Sequence, residues 1–288
     1  MLFRSYPISN VSRVSLSPFY TLTRTIDLER QTAADKVSNF TGVSAEYVFD
    51  NTVSYGLNRW QGTRAKIKYA NYKGITSDAE SFDRLTIDIR NYTKIHKELI
   101  LASRLSFSTS GGNAPKQVSL GGVDNWVFLN RDNPVINDAL NPADKRDLFF
   151  TDFATSMRGF NVNKQSGTNH LLLNLELRLP IAEFLSTEPV TSNFLKNLQF
   201  TVFTDIGTTW SEKGPLAIRY DYPITTIAGS RSYFNAAVNT FKNPFLLGYG
   251  LGLRTTLFGY YAKFDVGWGM ENRDVQKPIT YFSLGHDF

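Results

Sequence analysis

Residues 171–179 read Leu-Leu-Leu-Asn-Leu-Glu-Leu-Arg-Leu, and this stretch decides the fold class. Leu171, Leu173, Leu175, Leu177 and Leu179 fall on one face of an extended chain, opposite Asn174, Glu176 and Arg178, with Leu172 the exception. On a helix these five leucines would point around the whole circumference. Only the two-residue period of a strand gathers them.

The same alternation spreads outward from this stretch. Leu247, Tyr249, Leu251, Leu253 and Leu257 oppose Gly248, Gly250, Gly252, Arg254 and Thr256. Tyr260, Ala262, Phe264, Val266, Trp268 and Met270 oppose Tyr261, Lys263, Asp265, Gly267 and Gly269. Leu198, Phe200, Val202, Ile206 and Trp210 oppose Gln199, Thr201, Asp205 and Gly207. With weaker versions upstream, the pattern predicts ten strands: 14–26, 41–50, 62–73, 84–92, 98–108, 171–179, 198–210, 247–257, 260–270 and 279–288. An all-β fold follows, consistent with 14% aromatic residues and 20 glycines.

Three features point to a membrane barrel rather than a soluble sandwich. Strands of roughly 9 to 13 residues suit a tilted bilayer crossing and exceed the usual soluble strand. Full charges stand in mid-strand at Lys66, Asp88, Arg90, Arg104, Glu176, Asp205, Arg254 and Asp265, as expected of a polar lumen. Aromatics gather near strand ends at Tyr47, Phe49, Tyr69, Trp210 and Trp268. No apolar window of about 18 residues occurs, which excludes a transmembrane helix but not a barrel.

Other classes receive little support. The chain has no Cys, which excludes a disulfide scaffold and a thiolate metal site. A net charge of +5 is scattered among carboxylates, so no nucleic-acid partner is expected. Residues 1–7 lack the apolar core of a signal peptide, so an exported protein with this start is expected to be a mature or truncated form.

The connections alternate in length. Short links at 93–97 and 257–259 contrast with long ones at 110–168 and 212–244, as between periplasmic turns and outer loops. The link at 181–196 is long for a periplasmic turn. The 110–168 segment is too long for an idle loop.

Three landmarks then line up in order. Met157-Arg158-Gly159-Phe160 lies late in the long loop, Phe203-Thr204-Asp205-Ile206-Gly207 lies in a later strand, and Tyr281 to Phe288 ends the chain on an aromatic. The chain resembles the bacterial surface-antigen superfamily, the BamA and TamA type of outer-membrane assembly and translocation barrels. That resemblance implies a lid loop whose Arg158 reaches the barrel-wall motif of Phe203, Asp205 and Gly207. It also implies a C-terminal assembly signal carried by Phe282, Leu284 and Phe288, although His286 stands where an apolar residue is usual. The family barrel has sixteen strands. By that match the chain, 1–288, is expected to be a partial outer-membrane β-barrel domain with a lid at about 110–168, its first six strands and a soluble N-terminal periplasmic module missing.

The implied function is insertion or export of client proteins in the bacterial outer membrane, without chemistry or cofactor. The bilayer and the clients are the implied partners. Plainer readings remain beside it. Arg158 alone reads as a solvated loop arginine, and Asp205 could instead balance Arg104 or Arg254. A passive pore is the alternative function. A hydrolase is a distant third, because His96, His170 and His286 form no metal pair and no Gly-x-Ser-x-Gly elbow occurs. Only a pairing of His170 with Asp152 would suggest a catalytic base.

Overall fold

A computed structural model of the chain describes residues 4–25, 36–56, 58–75, 80–96, 98–128, 150–181, 184, 192–211, 214, 224–228, 235–239 and 243–285. The chain opens with β1 (Arg4–Ser9), β2 (Ser12–Thr25), β3 (Lys36–Asp50) and β4 (Val53–Gly56). β5 (Arg59–Gly74), β6 (Phe82–His96) and β7 (Leu99–Gly112) follow. Three short strands, β8 (Val118–Leu120), β9 (Asp152–Ala154) and β10 (Gln165–Gly167), precede β11 (Asn169–Pro180). One helical turn, α1 (Asn193–Lys196), leads to β12 (Gln199–Trp210). The pair β13 (Ile224–Ala228) and β14 (Asn235–Asn239) comes before β15 (Leu246–Leu257), β16 (Tyr260–Glu271), β17 (Asp274–Val275) and β18 (Ile279–Leu284).

All ten strands expected from the alternation are present. They lie in one antiparallel sheet of 13 strands, ordered β1-β2-β3-β5-β6-β7-β11-β12-β15-β16, with β17 and β18 both on β16 and β4 on β5. The three additions, β1, β4 and β17, are short. Arg4–Ser9 contains Pro7 and shows no apolar alternation, so pattern alone passes over it. β7 continues to Gly112, so the long connection begins slightly later than expected. Among the described residues the sheet is open, its path ending at β1 on one side and at β17 and β18 on the other.

Local chemistry sets the register. Phe258 and Gly259, both at positive φ, make the two-residue turn between β15 and β16. Such primed turns match the strands' twist, and the pairing then runs unbroken from Leu257↔Tyr260 to Leu247↔Met270.

Burial is inside out. The leucines at 171, 175 and 177 are exposed, as are Val202, Ile206, Leu251 and Leu253, the last two at 45% and 42%. Opposite them Asn174, Glu176, Arg178, Asp205 and Arg254 are buried. In water this arrangement would expose a continuous greasy face. In a bilayer it is the expected one, and every interior strand satisfies its backbone through its neighbours. The fold is a transmembrane antiparallel β-barrel wall, and among the described residues no helix is long and apolar enough to cross a membrane.

The connection between β7 and β11 folds onto the buried face of this wall. Its strands β10, β8 and β9 form a small sheet in that order, with β8 and β9 parallel. Contacts tie it across the wall: Arg84 pairs with Asp152 at 2.7 Å, and the Arg104 guanidinium donates to the Thr155 carbonyl at 3.3 Å. Leu172, the exception to the alternation, points inward. It joins Val118, Leu120, Ala154, Met157, Phe160 and Leu246 in a buried apolar cluster beneath this insert.

Candidate functional site

Strand parity delivers each side chain of the site. On β12 the inward positions are Phe203, Asp205 and Gly207; on β11 they include Leu172, Asn174, Glu176 and Arg178. Cross-strand register sets Asn174 opposite Asp205 and Glu176 opposite Phe203. Onto this surface the insert lowers Met157, Arg158, Gly159 and Phe160, all buried.

Arg158 is the centre. Its Nε and Nη2 donate to the two oxygens of Asp205 at 2.8 and 2.9 Å, and its backbone N–H adds a third bond to Oδ2 at 3.1 Å. Nη1 donates to Glu176 Oε2 at 2.7 Å. The guanidinium carbon lies 3.6 Å from the centre of the Phe203 ring. Such a fork engages a carboxylate through two bonds at once while its flat face stacks on an aromatic, which no ammonium can do. Burial alone would lower the Arg158 pKa. Asp205 above all, then Glu176 and Asp265, outweigh that effect and hold it above the usual arginine value.

A wider network completes the charges. Asn174 Nδ2 donates to Asp205 Oδ1 at 2.7 Å and to the Ser156 carbonyl at 2.6 Å. Arg178 Nε donates to Glu176 Oε1 at 2.8 Å. Arg254 Nη1 donates to Asp265 Oδ1 at 2.7 Å, and its Nη2 stands 3.5 Å from Glu176 Oε2. Arg158, Arg178 and Arg254 thus face Asp205, Glu176 and Asp265 in a neutral cluster. Because Arg158 and its two carboxylates are at most 4% exposed, removing one partner leaves a buried charge, at a cost of roughly 3–5 kcal/mol.

Glycines bring the backbones together. A Cβ on Gly248 would overlap the Arg158 carbonyl, and one on Gly267 would lie 2.7 Å from the Gly159 nitrogen. Gly207 likewise leaves space for Leu120, Leu172 and Met157. Gly159 itself has φ near +88°, a conformation that L side chains rarely adopt. Tyr281 of β18 fixes this bend, its hydroxyl accepting from the Gly159 N–H at 2.9 Å and donating to the Phe160 carbonyl at 2.8 Å.

The structure therefore brings together Met157, Arg158, Gly159, Phe160, Phe203, Asp205 and Gly207. Arg158 is not a solvated loop residue. Asp205 does not balance Arg104, which pairs with Asp88, or Arg254, which pairs with Asp265 and Glu176. Phe282 and Leu284 lie on the other face of β18 from Tyr281 and Ser283, and both are half-buried. Phe288 lies outside the described residues. Glu176 and Asn174 complete the site without any motif of their own, and Tyr281 does so from the start of the C-terminal landmark; inward parity is the signal all three share.

His170 does not meet Asp152. Its Nε2 lies 3.0 Å from Ser106 Oγ, while its other ring nitrogen has no hydrogen-bond partner among the described residues. That pair lacks the orienting carboxylate of a nucleophilic triad. Among the described residues no group of three or more metal-ligating side chains is gathered.

Comparison with known families fits this geometry. The Omp85 superfamily domain matches residues 9–288. The chain belongs to the Omp85 superfamily. Among solved structures, BamA from Haemophilus ducreyi lacking POTRA domains 1–3 superposes with a TM-score of 0.59 at 13% identity, over 98% of this chain and 53% of that one. CdiB from Acinetobacter baumannii superposes with a TM-score of 0.52 at 16% identity, over 98% of this chain and 40% of that one. The chain thus spans about half the length, or less, of these Omp85 structures. No curated protein matches it in sequence.

Proposed function

We propose that this Omp85 chain forms the wall and lid of a bacterial outer-membrane barrel that inserts or exports client proteins without chemistry. The single observation that carries the reading is Arg158, drawn onto Asp205 and Glu176 so that the insert plugs the buried face of the wall. A lid held there obstructs passive diffusion. Among the described residues the sheet path also ends at β18, and a strand edge in lipid must satisfy its N–H and C=O groups through another strand. Client strands add at such an edge by β-augmentation.

Residues 110–168 act as the lid, Phe282, Leu284 and Phe288 as the assembly signal, and the bilayer, the clients and a soluble periplasmic module as partners. The test is reconstitution of the full protein in lipid vesicles, with a urea-denatured small outer-membrane barrel as client. The expected result is faster appearance of protease-protected, heat-modifiable client than in empty vesicles. Equal rates, accompanied by a large steady ion conductance of the vesicles, would assign the chain to passive pores instead.

A further inference from the structure

The insert does more at β18 than meet Tyr281. Residues Asn125–Phe128 leave the buried face and lie along the outer edge of β18. Val127 donates its N–H to the Phe282 carbonyl at 2.9 Å, and Asn125 Nδ2 donates to the Leu284 carbonyl at 3.1 Å. Trp126 and Ser283 face each other in an isolated antiparallel bridge.

Strand parity identifies this as the edge of β18 that faces away from β16. Gly285 donates to Tyr261 of β16, so the backbone groups of odd-numbered residues in β18 turn toward β16. Those of Phe282 and Leu284 turn away from it. Side chains reinforce the contact: the Trp126 and Tyr281 rings lie 4.7 Å apart, and Phe128 stacks on Phe282 at 5.7 Å. Trp126 thus follows the inward face of β18, and Phe128 joins the Phe282 face.

We infer that Asn125–Phe128 is an internal strand mimic that caps the edge of β18 opposite β16 and has to leave before another strand can pair there. The segment runs antiparallel to β18, the direction required of any strand that would extend an antiparallel barrel sheet. Among the described residues one backbone bridge and the Asn125 side-chain bond tie it to β18, beside the two ring contacts. It satisfies edge carbonyls that lipid cannot, and it yields to a strand that satisfies more of them. Its link to Arg158 is direct. Gly122, close before the segment, pairs with Met157, next to the arginine, so seating of the lid and capping of the edge belong to one element.

This inference rests on the proposed function only where it names a client strand as the displacing partner, and the test separates the two. The chain has no natural cysteine, so Trp126→Cys with Ser283→Cys introduces a unique thiol pair. The two residues lie between hydrogen bonds, the closer kind of antiparallel pair, with a Cα separation of about 4.5 Å that a disulfide accepts. In the full protein in vesicles the disulfide should form on mild oxidation without denaturant. The probe for edge pairing is a synthetic peptide of residues 279–288 carrying a photo-reactive phenylalanine. Reduced protein should capture it at least tenfold more than oxidised protein, and capture should return with dithiothreitol. Failure of the disulfide to form in folded protein overturns the cap, as does capture that is clearly measurable and equal before and after oxidation. If the disulfide forms and neither state captures peptide, the cap stands and strand addition at β18 is what fails. Single-cysteine variants control for loss of either side chain.

Discussion

The Arg158 guanidinium carbon sits 3.6 Å from the centre of the Phe203 ring, while the next inward residue of the same strand, Asp205, grips its edge. One residue offers a face and the other two oxygens, and only a planar cation satisfies both. Phe203→Leu keeps the apolar volume but removes the π face, and should destabilise the folded protein by about 1–2 kcal/mol. Arg158→Lys should fare worse, since an ammonium makes neither the fork nor the stack. Guanidinium chloride unfolding in detergent checks both. A Lys variant as stable as the parent would show that charge alone suffices.

Leu172 is the second test. It sits in the apolar cluster with Met157 and Phe160, on a strand whose other leucines face lipid. Leu172→Ala should cost about 2–5 kcal/mol, because the cavity opens between two packed layers. Leu175→Ala, on the exposed face of the same strand, should cost less, since lipid tails refill the space. Equal losses would mean that the insert is not packed on the wall.

How much of this could be read from sequence depends on which contacts leave a periodic trace. The ten long strands were legible because each alternates in polarity, and Leu172 was the visible flaw in the cleanest of them. Its reason was hidden, since nothing local tells that an insert will cover that one position. Arg158 and Asp205 stand in short motifs, and only the family resemblance that those motifs carry paired them. Glu176, Asn174 and Tyr281 could not, because a lumen offers many inward polar residues and register alone selects among them. Pro7 and a brief length hid β1.

Gly248 offers a steric test of seating. A Cβ there would overlap the Arg158 carbonyl, whereas one on Gly214 meets nothing within 4 Å. Gly248→Ala should therefore lift the insert, costing about 1–3 kcal/mol, and Gly214→Ala should not. With Met157→Cys as the sole thiol, maleimide should label the Gly248→Ala protein several-fold faster. Unchanged labelling would place the insert elsewhere in solution.

Phe288 carries a prediction of another kind, assembly rather than stability. Phe282 and Leu284 lie on one face of β18, and Phe288 continues their even-numbered parity in sequence. Phe288→Ala should reduce the amount of protein reaching the outer membrane more than it lowers the unfolding midpoint of protein already inserted. Parallel losses in both would reduce the residue to a packing role.

The final test is a cycle on Arg158 and Asp205, and charge balance sets its sign. In the parent, three arginines face three carboxylates, all six residues buried. Arg158→Ala leaves that cluster with one excess negative charge, although Asn174 still donates to Asp205 and Arg178 to Glu176. Asp205→Ala leaves one excess positive charge, with Arg158 still held by Glu176 at 2.7 Å. Each single variant should lose roughly 3–5 kcal/mol, as expected when one member of a buried pair is removed. The double variant restores neutrality and loses the shared contact only once. It should be no less stable than the worse single variant, which makes the coupling energy at least the smaller single loss, roughly 3–5 kcal/mol. Labelling of Met157→Cys should follow the same order, fast in each single variant and no faster in the double. Strict additivity in unfolding would mean that the two residues act independently, and the insert would then need another anchor.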